Sequence, residues 1–298
     1  MRTNACPRIV PRRKPSTLGH FRSFRPIVAW LTRQGVPSAP MCLILFAHRV
    51  VPGTLLIVAA NRDERFDRPA APAAVWDDHP EILAGRDLSG GGTWLGVSRS
   101  GRFAALTNFR NPATHRADAP SRGELVKAFL VGQMSARTYV EDIVREAVPY
   151  NGFCLLVGDG DRLFFHSNRA EAPVEVEPGI HGIANHLLNT PWPKVVKGRS
   201  GLERLTRAPF DLDEYLALLD DPTPAADGDL PKTSLDLERE RRHSAVRILN
   251  PDYGTRCSTV VRITSARTID FAERSFHSGG EIAGEVRYHL DMMSSVSS

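Results

Sequence analysis

Paired cysteines are absent from this sequence. Its four, Cys6, Cys42, Cys154 and Cys257, form no CxxC pair and are too few to scaffold a chain of 298 residues with disulfides. Zinc-finger and thioredoxin-like chemistry are thereby excluded, and a reducing, cytoplasmic setting is expected. The ten histidines show no HExxH and no paired Cys–His or carboxylate–His spacing, so neither a metal nor a cofactor is expected, and His48, His181 and His186 read as hydrogen-bonded structural residues. Long apolar runs are missing too. The one candidate, MCLILFAHRVVPGTLLIVAA at 41–60, is broken by His48-Arg49 and Pro52-Gly53, which leaves two strand-length pieces around a turn and no membrane span.

Acidic residues are missing from residues 1–40, which hold eight Arg and Lys and six prolines. Taking those eight from the 38 Lys and Arg of the chain leaves 30 against 34 acids, so residues 41–298 carry a net charge of −4 despite the +4 of the whole. A mildly acidic body has no general reason to hold phosphate backbones. No RNP, helix-turn-helix or basic-helix pattern occurs either, so nucleic acid is not an expected partner. The prolines are scattered so that no useful helix or strand fits residues 1–40. A targeting peptide, a disordered basic arm and a translated upstream region all fit this stretch. No apolar stretch follows Arg12-Arg13, which favours the translated upstream region, with Met41 expected to be the true initiator.

What remains is of ordinary globular composition, 42% hydrophobic and 24% charged, enough for a sizeable core. Residues 43–47 and 55–60 are continuous apolar runs, as expected of hairpin strands covered on both faces. Strands are also expected at 93–98, 102–108, 153–158, 162–167, 257–264, 268–276 and 285–290. Helices are expected at about 121–131, opened by a Ser121…Glu124 capping box, and at 136–148, 194–207 and 212–219, with a polar stretch over 221–235. Strands lead, helices sit in the middle and strands return. That order suits a single α+β layered domain over 41–298 with mostly antiparallel sheets, not a doubly wound nucleotide fold.

Cys42 is the most informative residue. An initiator Met before a small residue is usually removed, which would place the Cys42 thiol beside its own α-amine. The amine, titrating near 7.7–8.0, can act as general base for a thiol near 8.5. The alternative is an inert buried cysteine in the first strand. Asn61-Arg62-Asp63-Glu64-Arg65 ends the second strand and comes beside the start of the first. There an arginine would lower the thiol pKa and a carboxylate would hold the ammonium, unless the cluster is a solvated turn of local ion pairs. GGTWLG at 91–96 lacks the Lys-Ser/Thr of a P-loop, so its glycines and Trp94 read as architecture, and Trp192 between two prolines reads as a rigid anchor before a helix.

MCLILFAH at 41–48, NRDE at 61–64, GGTWLG, LTNFRNP at 106–112, SRGELV at 121–126, NGFCLLVGD at 151–159, NTPWPKV at 189–195 and YGTRCSTVV at 253–261 together resemble the NRDE family, also called the transport and Golgi organisation protein 2 family. The resemblance covers essentially all of 41–298 and none of 1–40. It implies a four-layer αββα sandwich of two mostly antiparallel sheets, like N-terminal-nucleophile hydrolases of the penicillin V acylase and bile-salt hydrolase group. Cys42 then matches the nucleophile. Arg62 and Asp63 match its assistants, with Glu64 the alternative carboxylate one register on. Asn108 and Asn185 match oxyanion-side asparagines, and Arg256 a late-chain arginine. Two functions follow from the resemblance: an amidohydrolase of a small-molecule C–N bond, or a non-catalytic carrier or chaperone of haem or an acyl lipid, since eukaryotic family members are linked to such ligands.

Overall fold

The computed structural model describes residues 41–111, 114–233 and 235–293; the expectations for residues 1–40 lie outside these. Burial on both faces sets the architecture. In β1 (Leu43–His48), Ile44 and Phe46 point into one core while Leu43, Leu45 and Ala47 point into another. β2 (Thr54–Arg65) alternates in the same way, with Leu56, Val58 and Ala60 on one side and Ile57 and Ala59 on the other. Side-chain period two then requires a layer against each face.

Two sheets supply the central layers. The first carries β10 (Gly179–Ile183), β1, β2, β11 (Tyr253–Thr264), β12 (Thr268–Phe276) and β13 (Ile282–Asp291) in that spatial order. The second carries β3 (Ala70–Val75), β4 (Ile82–Asp87), β5 (Leu95–Ser98), β6 (Arg102–Asn108), β7 (Phe153–Asp159), β8 (Leu163–Ser167) and β9 (Val174–Glu175). The pairs within each are antiparallel. Ile44, Phe46 and Val261 of one sheet meet Leu83, Val97 and Leu156 of the other in the central core. Outside the second sheet lie α1 (Gly123–Val131) and α2 (Ala136–Glu146), buried through Phe129 and Tyr139; outside the first lie α3 (Pro193–Leu205) and α4 (Leu212–Leu218), buried through Val195 and Tyr215. This is the four-layer αββα sandwich. A 3-10 turn (Asp227–Asp229) and α5 (Leu237–His243) lead into β11. Among the described residues no helix is long and apolar enough to cross a membrane.

Three local expectations change. The second strand runs on to Arg65, so the charged NRDE run lies within β2 and alternates between its faces. The capping box does not form: Arg122 is the N-cap of α1 without a side-chain cap, and the turn is held by Thr93 N–H donating to Gly123 O at 3.3 Å. β3, β4 and β10 are short and contain Ala, Gly or Pro, and β9 is only two residues long, so none of the four carries a strand signal in the sequence.

That turn explains GGTWLG. Gly91 holds φ +77°, and a Cβ on Gly92 would lie 2.4 Å from the Gly123 carbonyl carbon, while Trp94 packs so close to Gly85 that a Cβ there would meet its ring at 2.1 Å. Gly92→Ala must push backbone against backbone and is expected to cost about 1–3 kcal/mol. Gly228→Ala, facing open space, is expected to stay within about 0.5 kcal/mol. Urea denaturation of both variants checks this, and equal midpoints would refute it.

Candidate active site

Strand register brings the candidates to one end of the sandwich. Leu43 pairs with Asn61 and Ile44 with Ile183, so Cys42, one residue before this ladder, lies beside Arg62 on β2, and Asn185 follows the end of β10 at the same end of the sheet. The Cys42 Sγ lies 3.8 Å from the Asp63 backbone carbonyl. With Arg62, Trp94, Leu95 and Leu106 it surrounds a gap of about 10 Å³, room for at most one water.

Alternation along β2 divides the NRDE run. Asn61 points to the helix side, donating to Leu219 O and Val246 O and accepting from Ser258 Oγ at 2.6 Å. Arg62 points between the sheets, 3.5 Å from Asp87 and stacked over Trp94 at 4.4 Å. Asp63 returns to the helix side. It is fully buried, accepts from Thr255 Oγ1 at 2.6 Å and lies 3.7 Å from Lys194 Nζ. Glu64 turns to the loop beyond, 3.9 Å from Arg68 and accepting from Arg65 N–H.

The asparagines bridge the two sheets. Asn185, buried with φ +58°, donates from Nδ2 to Asn108 O at 2.9 Å, and its own carbonyl accepts from Arg110 N–H at 2.8 Å. Arg256 is turned elsewhere. The register of β11 on β2 slips between Thr255 and Cys257, making Arg256 the bulged residue, and it donates to Arg65 O and Arg68 O while stacking on Phe66.

Residues that sequence reasoning passed over complete the surroundings. Lys194, at the second position of α3, is buried and donates to Met41 O at 2.7 Å. A cation in a first helical turn opposes the helix dipole, and that misfit was the available signal for a buried partner. Met41 is itself buried: its N–H donates to the Tyr253 hydroxyl and its Sδ accepts from Arg110 at 3.1 Å. Arg110 is paired with buried Glu240 at 2.6 Å and stacks over Trp192. Arg122, from the SRGELV motif, is pulled below its ordinary value by burial, against the pull of the Glu64 charge, and donates to Gly152 O. Among the described residues no cluster of His, Cys, Asp and Glu could hold a metal ion.

Burial dominates the titration of this region. It pushes the Cys42 thiol up to about 12, with the Asp63 charge adding to the rise and Arg62 opposing it. Arg62 pulls the thiol downward, as expected of an arginine there, but desolvation outweighs it and the net shift is upward. Burial also pushes Asp63 up to about 6 against the pull of Lys194 and Thr255, and pulls Lys194 down against that of Asp63. His243, enclosed beside Lys194 and Arg110, is held down to about 3, by burial first and then by these cations.

The family profile of Transport and Golgi organisation 2 matches residues 41–278. A Transport and Golgi organization protein 2 homolog of Bos taurus is 37% identical over 261 residues, covering 79% of this chain and 93% of its own length. The Homo sapiens homolog is 35% identical over 259 residues with the same two coverages. Among solved structures, a Caenorhabditis elegans N-acylethanolamine-hydrolyzing acid amidase ortholog aligns with a TM-score of 0.45 and 13% identity, over 74% of this chain and 92% of that one.

His243 and Asp63 act on stability with opposite signs. The folded chain holds His243 neutral down to about 3 against an ordinary 6.5, so its contribution is present above 6.5 and is lost as pH falls through that window. Asp63, raised from 3.8 to about 6, contributes stability at low pH that is lost as pH rises through 6. His243→Gln is therefore expected to gain stability relative to the parent as pH drops from about 7 to about 5. Denaturant midpoints for both proteins across that range check it; parallel curves would count against the assignment.

Proposed function

The chain belongs to the Transport and Golgi organisation 2 family, and on that premise we propose that it is a cysteine amidohydrolase of the N-terminal-nucleophile kind, cleaving the C–N bond of a small amide once Cys42 is the first residue. The observation that carries this reading is the buried Asp63 carboxylate. Its Oδ2 accepts no hydrogen bond, yet the Lys194 ammonium that faces it also holds the carbonyl of the Met41–Cys42 peptide. A buried carboxylate oxygen left without a donor calls for one. The α-ammonium released when Met41 leaves is a donor formed at that peptide.

With Met41 in place, Cys42 is a desolvated thiol whose high pKa suits an inert residue. Removal of Met41 opens the site to water and sets an amine beside the sulfur. The amine takes the thiol proton, sulfur attacks the amide carbon, and the C–N bond breaks with that proton passing to the leaving amine. Water then attacks the thioester, giving its proton to the amine and restoring the thiol as the carboxylic acid leaves. In this reading Asp63 orients the ammonium and Asn108 donates to the oxyanion, with Asn185 holding the Asn108 backbone through its 2.9 Å hydrogen bond. Arg62 steadies the strand through Asp87 and Trp94. The described cysteines are free, which suits the cytoplasmic setting proposed here.

The test begins with the intact mass of the purified protein and follows turnover of a panel of small amides. A chain starting at Cys42 is expected, with turnover abolished in Cys42→Ala and reduced on the order of 10²–10³ in Asn108→Ala. Turnover unchanged in Cys42→Ala would sink the hydrolase reading. Micromolar binding of haem or an acyl lipid that survives that substitution would favour the carrier instead.

A further inference from the structure

The surroundings of Met41 describe a ligand. Methionine is an acyl group attached to the nitrogen of Cys42, and each of its parts is held by a different neighbour. Lys194 Nζ donates to its carbonyl at 2.7 Å, the Tyr253 hydroxyl accepts from its α-nitrogen, and Arg110 donates to its sulfur at 3.1 Å. Its carbon chain is packed against Ile248, Tyr253 and Trp192 in a small cluster separate from the three main cores. Met41 is 1% exposed.

We propose that the space filled by Met41 is the acyl-group site of Cys42, and that the substrates are amides of α-amino acids with unbranched apolar side chains of methionine's size. This rests on the hydrolase reading above. Sγ faces the gap beside Arg62 and Trp94, but only three bonds separate the nitrogen and sulfur of one cysteine, so once Met41 has left, rotation about the Cys42 Cα–Cβ bond brings an acyl group on Sγ into the volume left by the acyl group on N. Three features set the class. Tyr253 offers an acceptor where an α-nitrogen lies, which selects α-aminoacyl over simple acyl groups. Trp192 and Ile248 enclose an apolar chain, and Arg110, already committed to Glu240, closes the far end at the sulfur position. Lys194 donates where the scissile carbonyl oxygen must sit. The covalent step is that of the hydrolase: C–S forms, C–N breaks with the thiol proton passing to the leaving amine, and water later releases the free amino acid and restores the thiol.

The family profile begins at Met41 and the relatives align over 93% of their own length, so a chain expressed from Met41 keeps what the family folds. That protein, shown by mass to begin at Cys42, is assayed with p-nitrophenyl acetate, methionine p-nitroanilide, its des-amino analogue 4-(methylthio)butanoyl p-nitroanilide, and valine p-nitroanilide. The expected kcat/KM for the methionine compound exceeds that for the des-amino and valine compounds by about tenfold or more, the worth of one well-made hydrogen bond with its burial. Tyr253→Phe is expected to collapse the methionine to des-amino ratio toward one, which a merely structural role would not do. If Cys42 is acylated by p-nitrophenyl acetate but the three anilides react alike, the acyl site is wrong and the hydrolase reading stands. If nothing acylates Cys42, or the chain keeps Met41, both fall.

Discussion

A carboxylate and an ammonium buried together, Asp63 and Lys194, constrain this end of the structure. Burying either alone would cost several kcal/mol, and removing one partner of such a pair typically costs about 3–5 kcal/mol. The pair's neighbours supply part of the hydrogen bonding: Thr255 donates to Oδ1 of the acid and Lys194 donates to the Met41 carbonyl, while Oδ2 has only the Lys194 ammonium, 3.7 Å away. These four residues come from β2, α3, β11 and the segment before β1. Holding them together fixes the helix layer onto the first sheet and fixes where Cys42 begins.

The same burial explains why Cys42 is quiet as the chain stands. Desolvation acts in one direction on the thiol and on Asp63, favouring the neutral forms of both, and the nearby guanidinium of Arg62 is divided between Asp87 and the face of Trp94. Electrostatic activation by a neighbouring arginine is therefore weak. In the proposed mechanism the change that matters is loss of Met41, because it reduces desolvation and adds a base in one event.

The architecture was legible in the sequence where burial left a pattern. Continuous apolar runs at 43–47 and 55–60 mark strands covered on both faces, and both alternate between two cores. The NRDE run was legible as a cluster near Cys42, but its division was not. Only its inclusion in β2 sends Arg62 between the sheets and Asp63 to the helix side. Arg256 shows a further limit, since one slipped residue in the β11 ladder redirects its side chain to the carbonyls of Arg65 and Arg68. Lys194 and Tyr253 lie within NTPWPKV and YGTRCSTVV, where nothing local marks either as part of the site. Their hydrogen bonds to Met41 span 153 and 212 positions of the chain, and no local spacing encodes such contacts.

The two sheets carry different parts of the candidate site, which makes the site a product of layer packing. Cys42, Arg62 and Asp63 belong to the first sheet, and Asn108 ends β6 of the second. What joins them at this end is Asn185, held at φ +58° so that its side chain reaches Asn108 O while its backbone carbonyl takes the Arg110 amide. Asparagine tolerates the left-handed region better than other side-chain-bearing residues and can hydrogen-bond across it. Glycine would keep the backbone and lose the bridge; a larger residue would strain the backbone. Arg110, set by that bridge, in turn reaches both Glu240 and the Met41 sulfur, so the seam between the sheets also positions the far wall of the space that Met41 fills.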